Sequence, residues 1–458
     1  MSSEPALSVR REAWSGGDTR LARVVARPMV RFLAQEAASG VLLVIATAAA
    51  LILANSPWAD GFHHFWETEV EFAIGSWEPF THHGHGLTLH EWVNDALMVL
   101  FFFVVGLEIK TELVVGDLAD PRQAALPAIA AVGGMVIPAL LYVVFNTGAD
   151  GVLGGWGVPM ATDIAFAVGV LALLGNRVPQ RLKLFVLTLA IVDDIGAIAV
   201  IALFYTEEMS IPWLVTAVVA LFGVSMMKRL RIWYIPVYVL AGVFVWYATF
   251  RSGIHATIAG VALGLIAPAR PLLGPRMFES IEDVLTGDSV SPGSVLDANW
   301  KMKESIAITN RLLTMLTPWT SFIIIPIFAL ANAGVGLSGE AISDALSSPV
   351  TWGIIAGLVI GKPVGVGLFT LAAVRAGVAP LPPGVTTRHV FGVGAVAGIG
   401  FTVALFISGL AFDESVADSA VIGILLASLL ATILGMGVLA SGGSARQEAL
   451  SPETADAH

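Results

Sequence analysis

Two aspartates stand side by side in an otherwise apolar run, Ile191-Val192-Asp193-Asp194-Ile195-Gly196-Ala197. A carboxylate at the middle of a bilayer costs about +2.5–3.5 kcal/mol on insertion scales, so such groups face water or a partner. An adjacent pair roughly doubles that cost. The chemistry such a pair can do is proton or cation binding. A hard cation prefers oxygen ligands, and carboxylates, a hydroxyl and water suit it. A proton competes for the same oxygens, and two carboxylates so close titrate jointly. Competition at one site that opens to alternate sides is sufficient for antiport. Neighbouring residues on a helix point about 100° apart, so the two acids cannot both aim at one centre without distortion.

Lys362 carries the opposite charge. It lies in Ile360-Gly361-Lys362-Pro363-Val364-Gly365, with apolar sequence on both sides. An ammonium there needs a counter-charge, and the aspartates are the candidates; the alternative is a lysine snorkelling from a helix end. Two further stretches read as interrupted helices. Gly157-Val158-Pro159-Met160-Ala161-Thr162-Asp163 sets a proline and then Thr-Asp before a resumed apolar run, and Thr162 or Asp163 can cap the second half. Gly392, Gly394, Gly398 and Gly400 precede Phe401-Thr402. Unwound backbone at membrane depth survives only where protein or a water-filled cavity surrounds it. One such interruption in each half of the chain is the pattern of an inverted-repeat secondary transporter. Close helix packing on glycine is the alternative.

The elements that must position these residues are membrane helices. The 458 residues are 56% hydrophobic and 13% charged, with a mean hydropathy of +0.82, where a soluble domain carries roughly 25% charge. There is no cysteine, which excludes disulfides and thiolate metal sites. The net charge of -11 comes from acids in loops and tails, and nothing points to nucleic acid. Apolar runs long enough to span sit near 37–56, 92–115, 124–145, 157–175, 183–205, 212–228, 233–250, 253–270, 312–336, 350–377, 389–411 and 417–440, about twelve transmembrane helices. With a cytoplasmic N-terminus this count puts every Lys and Arg except Arg251 and Lys362 on one side, and the loop acids on the other. The expected organisation is a cytoplasmic tail at 1–34, a transmembrane domain at 35–440 and a disordered cytoplasmic tail at 441–458. The first apolar run, after a long basic lead, reads as a membrane helix rather than a signal peptide.

Several of these stretches resemble the NhaA family of sodium/proton antiporters. The likeness runs from about residue 35 to 438. It covers Trp92-Val93-Asn94-Asp95-Ala96-Leu97-Met98, Gly106-Leu107-Glu108-Ile109-Lys110, Ala161-Thr162-Asp163-Ile164-Ala165-Phe166-Ala167 and Asp193-Asp194. It continues through Ser252-Gly253-Ile254-His255-Ala256-Thr257, Phe328-Ala329-Leu330-Ala331-Asn332-Ala333-Gly334, Gly361-Lys362-Pro363 and Gly398-Ile399-Gly400-Phe401-Thr402. The resemblance implies an all-α exchanger with inverted repeats and two interrupted, crossing helices, an architecture established for that family. It implies an electrogenic transporter of the bacterial inner membrane with both termini cytoplasmic, exporting Na+ or Li+ against protons, with no cofactor and no enzymatic activity. The ions fall to Asp193 and Asp194, with Thr162 and Asp163 beside them. Asp194 is the expected direct ligand of Na+, while Asp193 turns toward Lys362, and Lys362, Asp163 and Asp193 compensate charge. In that picture Na+ binding breaks the Asp193–Lys362 pair and Lys362 releases a proton; a purely structural Lys362 is the alternative.

The resemblance also implies pH tuning by Glu108, Lys110 and Glu112 at the cytoplasmic end of the second helix, and an influence of His255. A solvated helix end and a satisfied core histidine are the competing readings. Leu313 stands where the family usually has an acid, and the cytoplasmic loop at 271–310 is longer than the family pattern. Residues 57–90 are expected to form a periplasmic loop, with Thr68–Ile74 as a strand and a turn at Gly75-Ser76; the family joins two protomers through a β-hairpin here, so a homodimer through 66–90 is implied. His82, His83, His85 and His90 read as solvated rather than as metal ligands. Asn94 and Asp95 open the second helix, as caps or as functional groups.

Two other classes stay in view. Intramembrane aspartyl proteases use two aspartates on separate helices, whereas these are adjacent and leave Lys362 without a role. A sodium-coupled organic-anion symporter of similar fold predicts a cavity for the anion and no need for Lys362. A non-transporting sensor is a weaker third.

Overall fold

A computed structural model describes residues 38–71, 75, 79–82, 85–206, 209–230, 235–271, 293, 296 and 305–441. The expected tails at 1–34 and 442–458 and most of the 271–310 loop lie outside the described residues. The helices in order are α1 (Ala38–Ala54), α2 (Ala59–Trp66), the single turn α3 (Leu89–Trp92), α4 (Met98–Val114), α5 (Pro121–Phe145), α6 (Ile164–Leu174), α7 (Gln180–Phe204), α8 (Ile211–Arg229), α9 (Ile235–Phe250) and α10 (Thr257–Ile266). They continue with α11 (Ile308–Trp319), α12 (Ile325–Asn332), α13 (Gly339–Ser347), α14 (Pro349–Ile355), α15 (Lys362–Arg375), α16 (Thr387–Ala397), α17 (Phe401–Ala411) and α18 (Glu414–Ala440). Among the described residues six helical stretches are long and apolar enough to cross a membrane, or up to eight if each of two bent pairs is one span.

Glycine sets the tightest contacts. A Cβ at Gly106 would sit 2.6 Å from the Val261 carbonyl oxygen, and one at Gly264 2.7 Å from the Gly106 carbonyl carbon, so α4 and α10 touch backbone to backbone. Gly133 and Gly365 do the same for α5 and α15, each directed at the other's carbonyl oxygen at 2.4 and 2.1 Å. With lipid as apolar as leucine, such close approach supplies the dispersion energy that holds membrane helices together. These contacts bring the α5–α15 pair against α7 and α16, with Leu358, Val390, Val393, Val396 and Lys362 fully buried at their centre.

Among the described residues three π-helical turns interrupt the helices. Val93–Leu97 joins α3 to α4, Thr320–Ile324 joins α11 to α12, and Ala356–Gly361 joins α14 to α15 immediately before Lys362. Such an inserted residue frequently marks a functional position. Two pairs are sharply bent, α1 against α2 by 116° and α16 against α17 by 48°.

The stretch expected as a strand at 68–74 is shorter in the described residues. β1 (Glu69–Val70) and β2 (Thr81–His82) both pair antiparallel with β3 (His85–Thr88), in the order β1-β3-β2. Residues 72–74 and 76–78 lie outside the described set. Helix entry also differs from expectation: Thr88, not Asn94, is the cap. Its hydroxyl accepts from the Glu91 N–H while the Glu91 carboxylate accepts from the Thr88 N–H, a reciprocal box that frees Asn94 for another partner.

Candidate functional site

The interruption before α6 is a short 3-10 helix, Leu153–Met160, followed by extended backbone through Ala161–Asp163. Pro159 lies inside the 3-10 segment, where its missing N–H and ring disfavour α-helical pairing with the turn before it. The second interruption, Gly398-Ile399-Gly400, separates α16 from α17. The two breaks meet. The Asp163 N–H donates to the Ile399 carbonyl at 2.7 Å, and the Thr162 hydroxyl lies 2.9 Å from the Ala397 carbonyl at the end of α16. A Cβ at Gly398 would come within 2.3 Å of the Leu358 carbonyl oxygen, so only glycine lets the break seat against the π turn beside Lys362.

Asp163 joins both helix starts. Its Oδ1 accepts from the Phe166 N–H at 2.9 Å, capping α6. Its Oδ2 accepts from the Thr402 N–H at 3.0 Å and the Thr402 hydroxyl at 2.7 Å, at the first turn of α17. One carboxylate thus faces the positive ends of two half-helices and is held by three donors.

Lys362 and Asp193 are fully buried, and Nζ lies 2.6 Å from Asp193 Oδ2. Thr162 Oγ1 is the third member, 2.7 Å from the same oxygen and 2.9 Å from Nζ. As the ammonium donates to Oγ1, the single hydroxyl proton remains for Asp193 or the Ala397 carbonyl. Asp194, on the next face of α7, belongs to a different environment. Its Oδ1 is buried without a hydrogen-bond partner among the described residues, and the side chain lines a cavity of about 180 Å³. Thr162, Asp163 and Thr402 also border the cavity, as do Glu108 from α4, Thr317 from α11, and Thr320 and Ser321 in the π turn. Asp193 and Lys362 do not line it.

The three residues expected to cluster at the end of α4 lie within about one turn, Glu108 and Glu112 on the same helix face, in different surroundings. Glu108 sits on the cavity wall with Asp194, Glu112 accepts from the Asp117 N–H at 3.0 Å, and Lys110 is half-buried away from the cavity lining. His255 bonds through Nε2 to the Tyr205 carbonyl, at a bend where Gly253 takes a positive φ of 77°. Thr402, Thr317, Thr320 and Ser321 carried no assignment in the sequence, although Thr402 follows the glycine-rich break directly. Among the described residues no group of three or more His, Cys, Asp or Glu side chains is placed to hold a metal ion. The side chains beside Asp194 in the cavity lining supply hydroxyl and carboxylate oxygens, the ligand type a hard cation takes.

A family model described as Na+/H+ antiporter 1 matches residues 30–439. The chain belongs to this family. Among curated relatives, the Na(+)/H(+) antiporter NhaA of Rhodopirellula baltica is 45% identical over 422 residues, covering 90% of this chain and 93% of the relative. The namesake of Salmonella arizonae is 43% identical over 409 residues, 88% of this chain and 96% of the relative. That of Shewanella frigidimarina is 42% identical over 435 residues, covering 94% and 99%. The likeness therefore spans both breaks, the aspartate pair and Lys362, and the antiporter family accounts for nearly the whole membrane part of the chain.

Proposed function

We propose that this chain is a Na+/H+ antiporter of the bacterial inner membrane, exchanging cytoplasmic Na+ or Li+ for external protons. The observation that carries the reading is the division of the aspartate pair. Asp193 is neutralised through its Oδ2 by Lys362 and Thr162, and its unpartnered Oδ1 faces away from the cavity lining. Asp194 has no cationic partner among the described residues and presents an unpartnered oxygen at the cavity. Asp194 binds Na+ or a proton, with Asp163 and Thr162 beside it, and the two cargoes exclude each other. Electrogenic exchange needs proton charge in excess of Na+ charge in each cycle, and Lys362 is the second carrier, giving up its proton when Na+ draws Asp193 away from it. The names of the relatives support proton exchange and not organic-anion symport. A transporter of this kind is not an enzyme and uses no cofactor.

The remaining organisation follows the same reading: about twelve spans in inverted repeats, the bent stretches crossing at Asp163 as their symmetric centre, and both tails cytoplasmic. The shorter helices α8, α9 and α10 supply spans beyond the long apolar ones. The sheet β1-β3-β2 lies on the periplasmic face and joins two protomers through residues 66–90. Glu108 acts from the cavity wall in the pH response, with Glu112 one turn further along the same face of α4 and Lys110 away from the cavity lining. The decisive experiment follows the dissipation of a proton gradient in inside-out vesicles as Na+, Li+ and K+ are added in turn. Na+ and Li+ should collapse the gradient and K+ should not. Silence toward all three across acid and alkaline pH, with the protein present, overturns the antiporter reading.

A further inference from the structure

Two motifs singled out in the sequence, around Asn94 and around Asn332, meet in space far from the aspartates. The Asn332 amide N–H donates to Asn94 Oδ1 at 3.0 Å, and the Asn94 amide reaches back to Asn332 Oδ1 at 3.3 Å. His90 Nε2 lies 3.0 Å from the same Asn332 oxygen. The second Asn332 donor is held by the Phe328 carbonyl at 3.0 Å. This is a reciprocal amide pair between the start of α4 and the end of α12, reinforced by a histidine. We propose that Asn94, Asn332 and His90 form a latch that closes the transport cavity toward the sheet-bearing face, and that it parts in each cycle; this rests on the exchange reading above.

The position supports a latch. α4 and the α11–α12 stretch both border the cavity, through Phe101, Val105 and Glu108 on one side and Thr317 and Ser321 on the other. All of these lie beyond the amide pair along their helices, away from the sheet. The cavity also reaches Ser39 at the start of α1, the end of that helix remote from the sheet. The latch therefore shuts the end to which the cavity does not extend. β3 runs through the Thr88 cap straight into the turn that carries His90. On the other flank, Asn55 at the end of α1 donates to the Val335 carbonyl at 2.9 Å, three residues past Asn332.

The chemistry makes the latch two-state. The three side chains are half-buried; each amide satisfies the other across an apolar helix contact, and separating them leaves polar groups unpaired unless water takes their place. They part when water reaches them, so opening and hydration of this face occur together. Each latched helix also carries a π turn near the pair, Val93–Leu97 and Thr320–Ile324. An inserted residue of this kind is a place where the helix can shift without unravelling.

The chain has no cysteine, so Asn94→Cys with Asn332→Cys can be joined selectively by a short, reducible bis-thiosulfonate. Joining should abolish Na+-driven gradient collapse in vesicles, reduction should restore it, and Na+ binding measured by calorimetry in detergent should be unchanged in the joined protein. Undiminished transport by the joined protein overturns the latch, and so does loss of Na+ binding together with transport, which would make the pair a structural strut. A second measurement does not depend on the double variant: an impermeant maleimide added on the sheet-bearing side should label Asn94→Cys alone faster during Na+/H+ turnover than without ions. Equal labelling rates overturn the proposal. Failure of the unmodified chain to respond to Na+ would instead overturn the exchange reading.

Discussion

Asp163 and Asp194 border the same cavity and are almost equally hidden from solvent, at 2% and 6% exposure, yet they are opposite kinds of acid. Asp163 is held by two backbone N–H groups and a hydroxyl from two facing helix starts. Asp194 has an oxygen with no partner. Burial makes a carboxylate expensive in both places, but only the second is left with capacity for a cargo. Asp193 shows the third solution, an ion pair with Lys362 closed by Thr162. Asp193 also keeps one unpartnered oxygen, so what marks the working acid is a place on the cavity wall with neither a counter-charge nor a full set of donors.

The comparison is broken most directly at Asp194. Asp194→Asn keeps the volume and removes both the charge and the exchangeable proton. Na+-dependent gradient collapse should fall to the level of vesicles without the protein, while thermal stability in detergent holds or rises because an unpartnered charge is gone. Measurable antiport by that variant would return the ion to Asp163. The closed pair gives the next largest effect, and on a different axis. Lys362→Gln leaves Asp193 fully buried beside an uncharged side chain, and removal of one partner of a buried pair costs about 3–5 kcal/mol. The melting temperature should drop accordingly, and Asp193→Asn added to it should recover much of the loss. If residual transport stays electrogenic with the same charge per ion, Lys362 leaves the proton count.

Asp163 is tested through its donors. Thr402→Val removes the hydroxyl at 2.7 Å but leaves the Thr402 and Phe166 N–H groups in place. A hydrogen bond to a charged group is worth about 1.5–3 kcal/mol, so stability should fall by that amount, read from thermal unfolding. Maximal transport should decline less than in Asp194→Asn, because the ion-facing oxygen is untouched. A variant as silent as Asp194→Asn would place Thr402 among the ion ligands.

Much of this was legible before any coordinates. A charged side chain in an apolar run is conspicuous, so the aspartate pair and Lys362 stood out, and Pro159 and the glycines at 392–400 marked both breaks. The bounds of the long helices fell close to the apolar runs for the same reason. Direction was not legible. In a membrane both the lipid-facing and the core-facing sides of a helix are apolar, so periodicity gives no face. Glu108 therefore read as part of a charged helix end with Lys110 and Glu112, when it points into the cavity that holds Asp194. The π turns were invisible because an extra residue in a ladder leaves no compositional mark. The Thr88–Glu91 box, by contrast, was available as a Thr-x-x-Glu pattern, and reading it would have released Asn94 from the role of a cap.

His255 gives the smallest and most pointed test. The family resemblance implies a part in the pH response, whereas the structure ties its Nε2 to the Tyr205 carbonyl where α7 ends. By the pattern of Asp163, a group held by fixed backbone partners, unlike Lys362 with its side-chain partners, holds the fold and does not exchange. His255→Gln retains an N–H donor for that carbonyl, and His255→Ala does not. The glutamine variant should lose at most about 0.5–1.5 kcal/mol, the worth of one neutral hydrogen bond, and the alanine variant more, since the Tyr205 carbonyl is then left without this donor. Neither should move the pH dependence of gradient collapse. A shifted profile in the glutamine variant, with stability intact, would show that a satisfied histidine can still tune exchange and would confine the rule to carboxylates.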